Sequence, residues 1–326
     1  MAQGWSGNVA TWGFAKQTAK GAAATNPAIK TKFTGGNIKP NRVLGRFSET
    51  AASRDWGASY VSSAGVTGNP AAYLRPDDMA SLALYALGAN VDSGAGPFVH
   101  TANPVDTDVP YITVFKMVAA TSGVGAILEK FTDCKVDSLK VMGGSGQPLT
   151  YELGIVGITP TFLASNDVVA VTTQTPFIYD QVTVTKAGGA ILTCDSFEFT
   201  IQNNLKVMMG NGAITPYDIF PGERQVSGSM AILYENTDNY RKFHYGGVAG
   251  TAVSRNVLTE ALVITATQSA SLLIANTFNS VRYNDVPVDP AASGDPIVSQ
   301  MAWECEPNPG GNICTIATTN SVTTPG

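Results

Sequence analysis

The chain has 326 residues, of which 44% are hydrophobic and 14% charged, with a net charge of −5. Globular proteins average about 25% charged residues, so uncharged groups must dominate this surface. General disorder is excluded, no apolar run reaches the roughly 18 residues of a membrane helix, and four cysteines are too few for a disulfide framework.

Residues 1–8 (MAQGWSGN) have neither a basic stretch nor an apolar core, so no secretory signal is expected. Charge is placed unevenly. Residues 1–60 hold eight bases (Lys16, Lys20, Lys30, Lys32, Lys39, Arg42, Arg46, Arg54) and two acids (Glu49, Asp55), a balance of +6, while the rest stands at −11. Such a segment reads as a nucleic-acid tail, as a solvated arm, or as a basic arm docking on the acidic body of a neighbouring copy. Its bases are spread out rather than adjacent, unlike a nucleic-acid tail. Residues 1–40 read as an extended arm, and 41–326 as a single β domain.

LRPDDMASLALYALGAN (74–90) predicts one helix, over about 76–88. Pro76 suits the first helical position, and Asp77 and Asp78 oppose the positive end of the dipole. Met79, Leu82, Ala83, Ala86 and Leu87 form one apolar stripe, and Gly88 suits the residue after the last turn. GGSGQP (143–148) reads as a turn: it lacks the Lys-Ser/Thr of a phosphate loop.

Most other segments alternate with period two, the pattern of half-buried strands. DQVTVTKAGGAILTCD (180–195) predicts a hairpin turning at Gly188–Gly189. In SFEFTIQ (196–202), Phe197, Phe199 and Ile201 share one face. In VSGSMAILYE (226–235), Val226, Met230, Ile232 and Tyr234 do the same. ALVITAT (261–267) and IVSQMAWEC (297–305) continue the pattern, and the latter is expected to pair with NICTIATT (312–319) across EPNPGG, bringing Cys305 and Cys314 face to face.

Catalytic patterns are sparse. His100 and His244 stand outside any nucleophile motif, and there is no G-x-S-x-G. Cys134, Cys194, Cys305 and Cys314 lack zinc spacing and read as free thiols. Asp106 and Asp108 open like a calcium loop that does not continue. Glu304 and Glu306 read as solvated strand ends rather than a glycosidase pair. No cofactor, metal or catalytic residue is assigned, and the chain is not expected to be an enzyme.

The order of several phrases resembles the tail tube (major tail) proteins of long-tailed, non-contractile phages. WGFAKQTAKGAAATNP (12–27) is similar to that family's opening, and FTDCKVDSLKV (131–141) with QPLTYELGIVG (147–157) to its strand-turn-strand. TCDSFEFTIQNNL (193–205), ITPYDIFPGERQVSGSMAILYEN (214–236), FNSVRYNDVPV (278–288) and SQMAWECEP (299–307) follow in the family's order; Gln225 stands where an acid is more usual.

The resemblance implies a mainly β fold, an antiparallel β-sandwich or flattened barrel with one flanking α-helix and an extended N-terminal arm. It implies hexameric rings stacked into the hollow tail tube of a siphovirus-type virion, assembled in the host cytoplasm. Tape measure, tail terminator and tail-tip proteins are the implied partners, with no membrane, and DNA passes through the lumen without specific binding. An acidic lumen repels phosphate, so Glu152, Glu198 and Thr200 are expected to line it. Lys30, Lys32, Lys39 and Arg42 are expected to bridge rings. The competing expectations are a β-rich virion adhesin or carbohydrate-binding module, a glycan hydrolase, and the inner tube of a contractile tail or tailocin.

Overall fold

A computed structural model describes residues 10–48, 57–118, 127–163, 171–288, 295–308 and 311–326. Residues 1–9 of the expected arm, and Glu49, Arg54 and Asp55 of its charge balance, lie outside the described residues.

The chain begins with β1 (Ala10–Lys16), β2 (Ile29–Lys32), β3 (Ile38–Arg46), β4 (Ser59–Gly68) and β5 (Ala71–Tyr73), then α1 (Pro76–Leu87). β6 (Gly88–Ser93), β7 (Phe98–Pro104), β8 (Ile112–Val118), β9 (Ile127–Gly144), β10 (Thr150–Gly157) and β11 (Thr159–Leu163) follow. β12 (Val182–Lys186), β13 (Gly189–Ile191), β14 (Cys194–Gln202), β15 (Lys206–Met209), β16 (Pro216–Phe220) and β17 (Gln225–Leu233) precede α2 (Asp238–Tyr245). The last strands are β18 (Glu260–Ser269), β19 (Leu272–Asp285), β20 (Val298–Cys305) and β21 (Cys314–Asn320). The fold is mainly β, and every strand pairing among the described residues is antiparallel.

Two long strands organise the sheet. The first half of β9 pairs with β8 and β11, and its second half with β10 and β14. At the junction Asp133 takes a φ of 56°. Its carboxylate accepts from the Gly21 amide at 2.6 Å and Gln17 Nε2 at 3.3 Å, which holds the uncommon conformation in place. β19 carries β18 along one edge, and β21 and β20 end to end along the other.

That arrangement corrects one expectation. β20 and β21 do not form a hairpin, because each finds its partner on β19. Cys305 lies opposite Val281 and Cys314 opposite Phe278. Those partners stand three steps apart on β19, about 10 Å at roughly 3.4 Å per residue, beyond the ~7 Å that a disulfide spans. Both thiols are free and buried.

The expected arm also differs. β1 lies between β2 and β8, and Trp12 and Phe14 are only 4% and 0% exposed. Their alternation provides an apolar face, but the partner strand β8 lies some hundred residues on, where no local pattern announces it. β3 does project: it pairs with β4 alone among the described strands, and every residue from Lys39 to Leu44 is exposed.

The predicted helix is α1. Gly88 ends it with a φ of 103°, and a Cβ there would stand 2.3 Å from Val105 Cγ2, so only glycine fits. Every residue of α1 except Asp77 is buried, with β6, β7, β9, β19 and β21 packed against it. Leu82, Leu87 and their neighbours join one core with Phe199, Phe278 and Trp303, whose rings meet in series, edge-on at 5.1 Å and tilted at 4.9 Å. A second helix, α2, is half-buried and packs Tyr240 and Phe243 on the core; at eight residues it is too short for a 3.6-residue period to be read from the sequence. The β12–β13 turn sits one residue earlier than predicted, with positive φ at Ala187 and Gly188.

Candidate functional site

The strands β10, β9, β14, β17 and β20 lie side by side in that order. Period-two alternation turns one set of their side chains onto the core: Tyr151, Leu153, Leu139, Val141, Phe197, Phe199, Ile201, Val226, Met230 and Trp303 are all buried. The opposite face is polar and half-exposed. It carries Thr150 and Glu152 from β10, Ser138, Lys140 and Met142 from β9, and Ser196, Glu198, Thr200 and Gln202 from β14. β17 adds Gln225, Ser227 and Ser229, and β20 adds Gln300, Ala302 and Glu304.

Glu152, Glu198 and Thr200 meet on this face. Glu152 and Thr200 stand directly opposite Lys140 on its two sides, and Glu198 receives the Lys140 ammonium at 2.8 Å. Glu152 accepts from Asn69 Nδ2 at 3.0 Å. At the far end Arg282 of β19 reaches Glu304 at 3.1 Å and Glu306 at 2.5 Å. Glu152, Glu198, Glu304 and Glu306 thus face two cations, Lys140 and Arg282. Lys140 was legible as the polar-face member of Ser138-x-Lys140-x-Met142; Arg282 was not, because β19 joins β20 only through tertiary pairing.

The four basic residues singled out in the sequence fall on β2 and β3. Lys32, Lys39 and Arg42 are exposed, while Lys30 is half-buried opposite Gly13 of β1.

Residues 7–305 match the model of the phage tail tube protein family. The chain belongs to that family. Membership gives it a structural role in the virion tail and implies self-assembly. A search of curated proteins finds no match.

In this tail tube protein the remaining charged clusters hold elements together. Glu260 accepts from Lys242 at 2.8 Å and the Tyr283 hydroxyl at 2.6 Å, and pairs with Lys186 at 3.2 Å. Burial raises the carboxyl, but the Lys242 and Tyr283 hydrogen bonds and the two ammonium charges outweigh it and hold Glu260 below the usual range. Burial pushes Lys186 down. This cluster pins α2 to β18 and β12.

His100 is buried, with Nδ1 2.6 Å from Asp92 Oδ1 and Nε2 2.8 Å from the Val322 carbonyl, so it ties β7 to the segment after β21. Asp108, one of the two acids at the aborted calcium loop, holds the fully buried Lys135 ammonium. Among the described residues no cluster of His, Cys, Asp or Glu has metal-binding geometry, and no helix is long and apolar enough to cross a membrane.

Proposed function

We propose that the chain builds the channel wall of a siphovirus-type tail: copies close into hexameric rings, rings stack into a hollow tube, and phage DNA passes through it into the host. The polar face of β10–β9–β14–β17–β20 lines the channel, with Glu152, Glu198 and Thr200 on it. One observation carries this reading. A five-strand surface free of exposed aromatics presents Ser, Thr, Gln and Ala, with its two cations paired and two carboxylates in excess. Phosphate finds no unpaired cation to hold it, and the excess carboxylates repel it. A sheet whose edges pair with neighbouring copies leaves no free edge in the ring.

Lys30, Lys32, Lys39 and Arg42 meet acids of the next ring; the exposure of the last three and the −11 balance beyond residue 60 support this. Tape measure, terminator and tail-tip proteins are the partners, and assembly takes place in the host cytoplasm. Negative-stain microscopy of the purified chain, alone and with tail-tip proteins, tests the reading. Hollow tubes with six-fold end views are expected. A chain that stays monomeric under both conditions refutes it, and another symmetry refutes the hexamer.

A further inference from the structure

β15 and β16 form a two-stranded sheet that pairs with no other strand. Val207, Met208, Met209, Ile214, Tyr217 and Phe220 on this hairpin are each 45–65% exposed. Three of them are consecutive on β15, so both faces of that strand are open, and its outer edge has no partner among the described residues. The neighbouring β3–β4 hairpin adds exposed Leu44 and Phe47. The two hairpins touch: the Ala64 amide of β4 donates to the Ile214 carbonyl at 2.6 Å.

A charged latch holds this hairpin against the body. Lys135 Nζ donates to the Ile219 carbonyl at 2.7 Å while paired with Asp108, and its charge lies 4.2 Å from the centre of the Tyr111 ring. The Tyr111 hydroxyl donates to Asp218, and Lys20 pairs with Asp218 at 3.1 Å. The latch grips Asp218 and the Ile219 carbonyl, and Lys20 also sits 4.6 Å from the centre of the Tyr217 ring, while Tyr217 and Phe220 stay 65% and 46% exposed. The exposed apolar side chains are therefore held on an anchored strand, which lowers the ordering cost of a contact.

We propose that this hairpin, with exposed Leu44 and Phe47 of the neighbouring β3–β4 pair, is a docking surface for a second copy of the chain. The proposal rests on the self-assembly reading above and names the surface that performs it. Half-exposed Tyr217 and Phe220 alone leave about 200 Å² at ~200 Å² each, and Val207, Met208, Met209 and Ile214 extend the patch into the ~300–600 Å² range of the largest patches on ordinary monomers. With Leu44, Phe47 and the polar rim it approaches the ~800 Å² per partner of a stable interface. Lys206, Lys39 and Arg42 on the two hairpins make the rim basic, and the rest of the same chain carries the complementary acid excess. A basic, apolar protrusion docking on a different, acidic surface of an identical chain is a heterologous contact, the kind that propagates into rings or filaments.

The test compares the wild type with Met208→Asp/Tyr217→Asp and with a control, Leu192→Asp, on β13–β14. Sedimentation gives the concentration at which each assembles, and circular dichroism checks folding. Amide exchange of Lys206–Met209 is followed in dilute and assembled wild-type protein. The double variant is expected to need at least tenfold more protein to assemble, the control to match the wild type, and the β15 amides to exchange at least tenfold more slowly on assembly. Unchanged exchange overturns the docking surface whatever the variant does, as does a folded variant that assembles normally; the tube reading survives both. A wild type that never associates overturns both.

Discussion

Replacing Asp78 by asparagine tests how the buried helix is held. The Asp78 side chain is fully buried in the first turn of α1. Oδ1 accepts from the Thr172 hydroxyl at 3.0 Å, and Oδ2 has no partner. Burial pushes its pKa up to about 6, against the opposing pull of Thr172, Arg75 and Thr31. In the unfolded chain the group returns to about 3.9. The folded state therefore holds the proton more tightly than the unfolded one. Below about pH 4 both states are protonated and nothing is lost. As pH rises towards 6 the unfolded state ionises first and stability falls; above that the penalty is complete. Two units at 1.36 kcal/mol each amount to about 3 kcal/mol. The charge also favours the helix dipole by about 0.3–1 kcal/mol, which the amide forfeits.

Asp78→Asn is thus expected to gain about 2 kcal/mol at pH 7.5 and close to nothing at pH 4. Urea unfolding of the dispersed protein at both pH values measures it through the midpoint and slope. An equal shift at the two pH values, or a variant weaker than the wild type at pH 7.5, refutes the reasoning.

Glu260→Gln leaves Lys186 and Lys242 without their shared carboxylate, so a loss of about 3 kcal/mol is expected. A thermal transition lowered by several degrees at pH 7, and unchanged as pH falls well below the usual glutamate range of about 4, checks it. Glu152→Lys with Glu198→Lys turns four carboxylates against two cations into two against four on the polar face. Tubes of that variant are expected to retain short duplex DNA at low salt and release it as salt rises, while wild-type tubes retain none; equal retention removes the channel assignment. Oxidation of the folded protein is expected to leave Cys305 and Cys314 unlinked, and a 305–314 disulfide in a non-reducing peptide map contradicts the end-to-end placement of β20 and β21.

Local patterns carried a large part of the fold. Alternation in Phe197-x-Phe199-x-Ile201 needs no partner to be read, because pleating alone puts those rings on one face. The helix was legible from Pro76, its acids, its stripe and Gly88, all within one stretch of chain. The candidate face was legible as far as Glu152, Glu198 and Thr200, each an out-facing residue in an alternating run. Lys140 is legible by the same argument, as the out-facing residue between Ser138 and Met142.

What the sequence by itself determined is which residues face inward along each strand, where α1 begins and ends, and the uneven spread of a small charge. Tertiary structure decided everything that depends on which edge meets which. β1 became a central strand because β8 offered it an edge. β20 and β21 lost their hairpin because β19 is long enough to pair with both. Lys135, a lysine by sequence, became a fully buried ammonium because Asp108 and the Ile219 carbonyl close over it from opposite directions along the chain. The low charge of the chain is legible in its composition. Where it concentrates is not: a polar face of paired ions and an apolar, basic-rimmed hairpin exist only once distant strands are brought side by side, since strand pairing is set by long-range packing and not by local period.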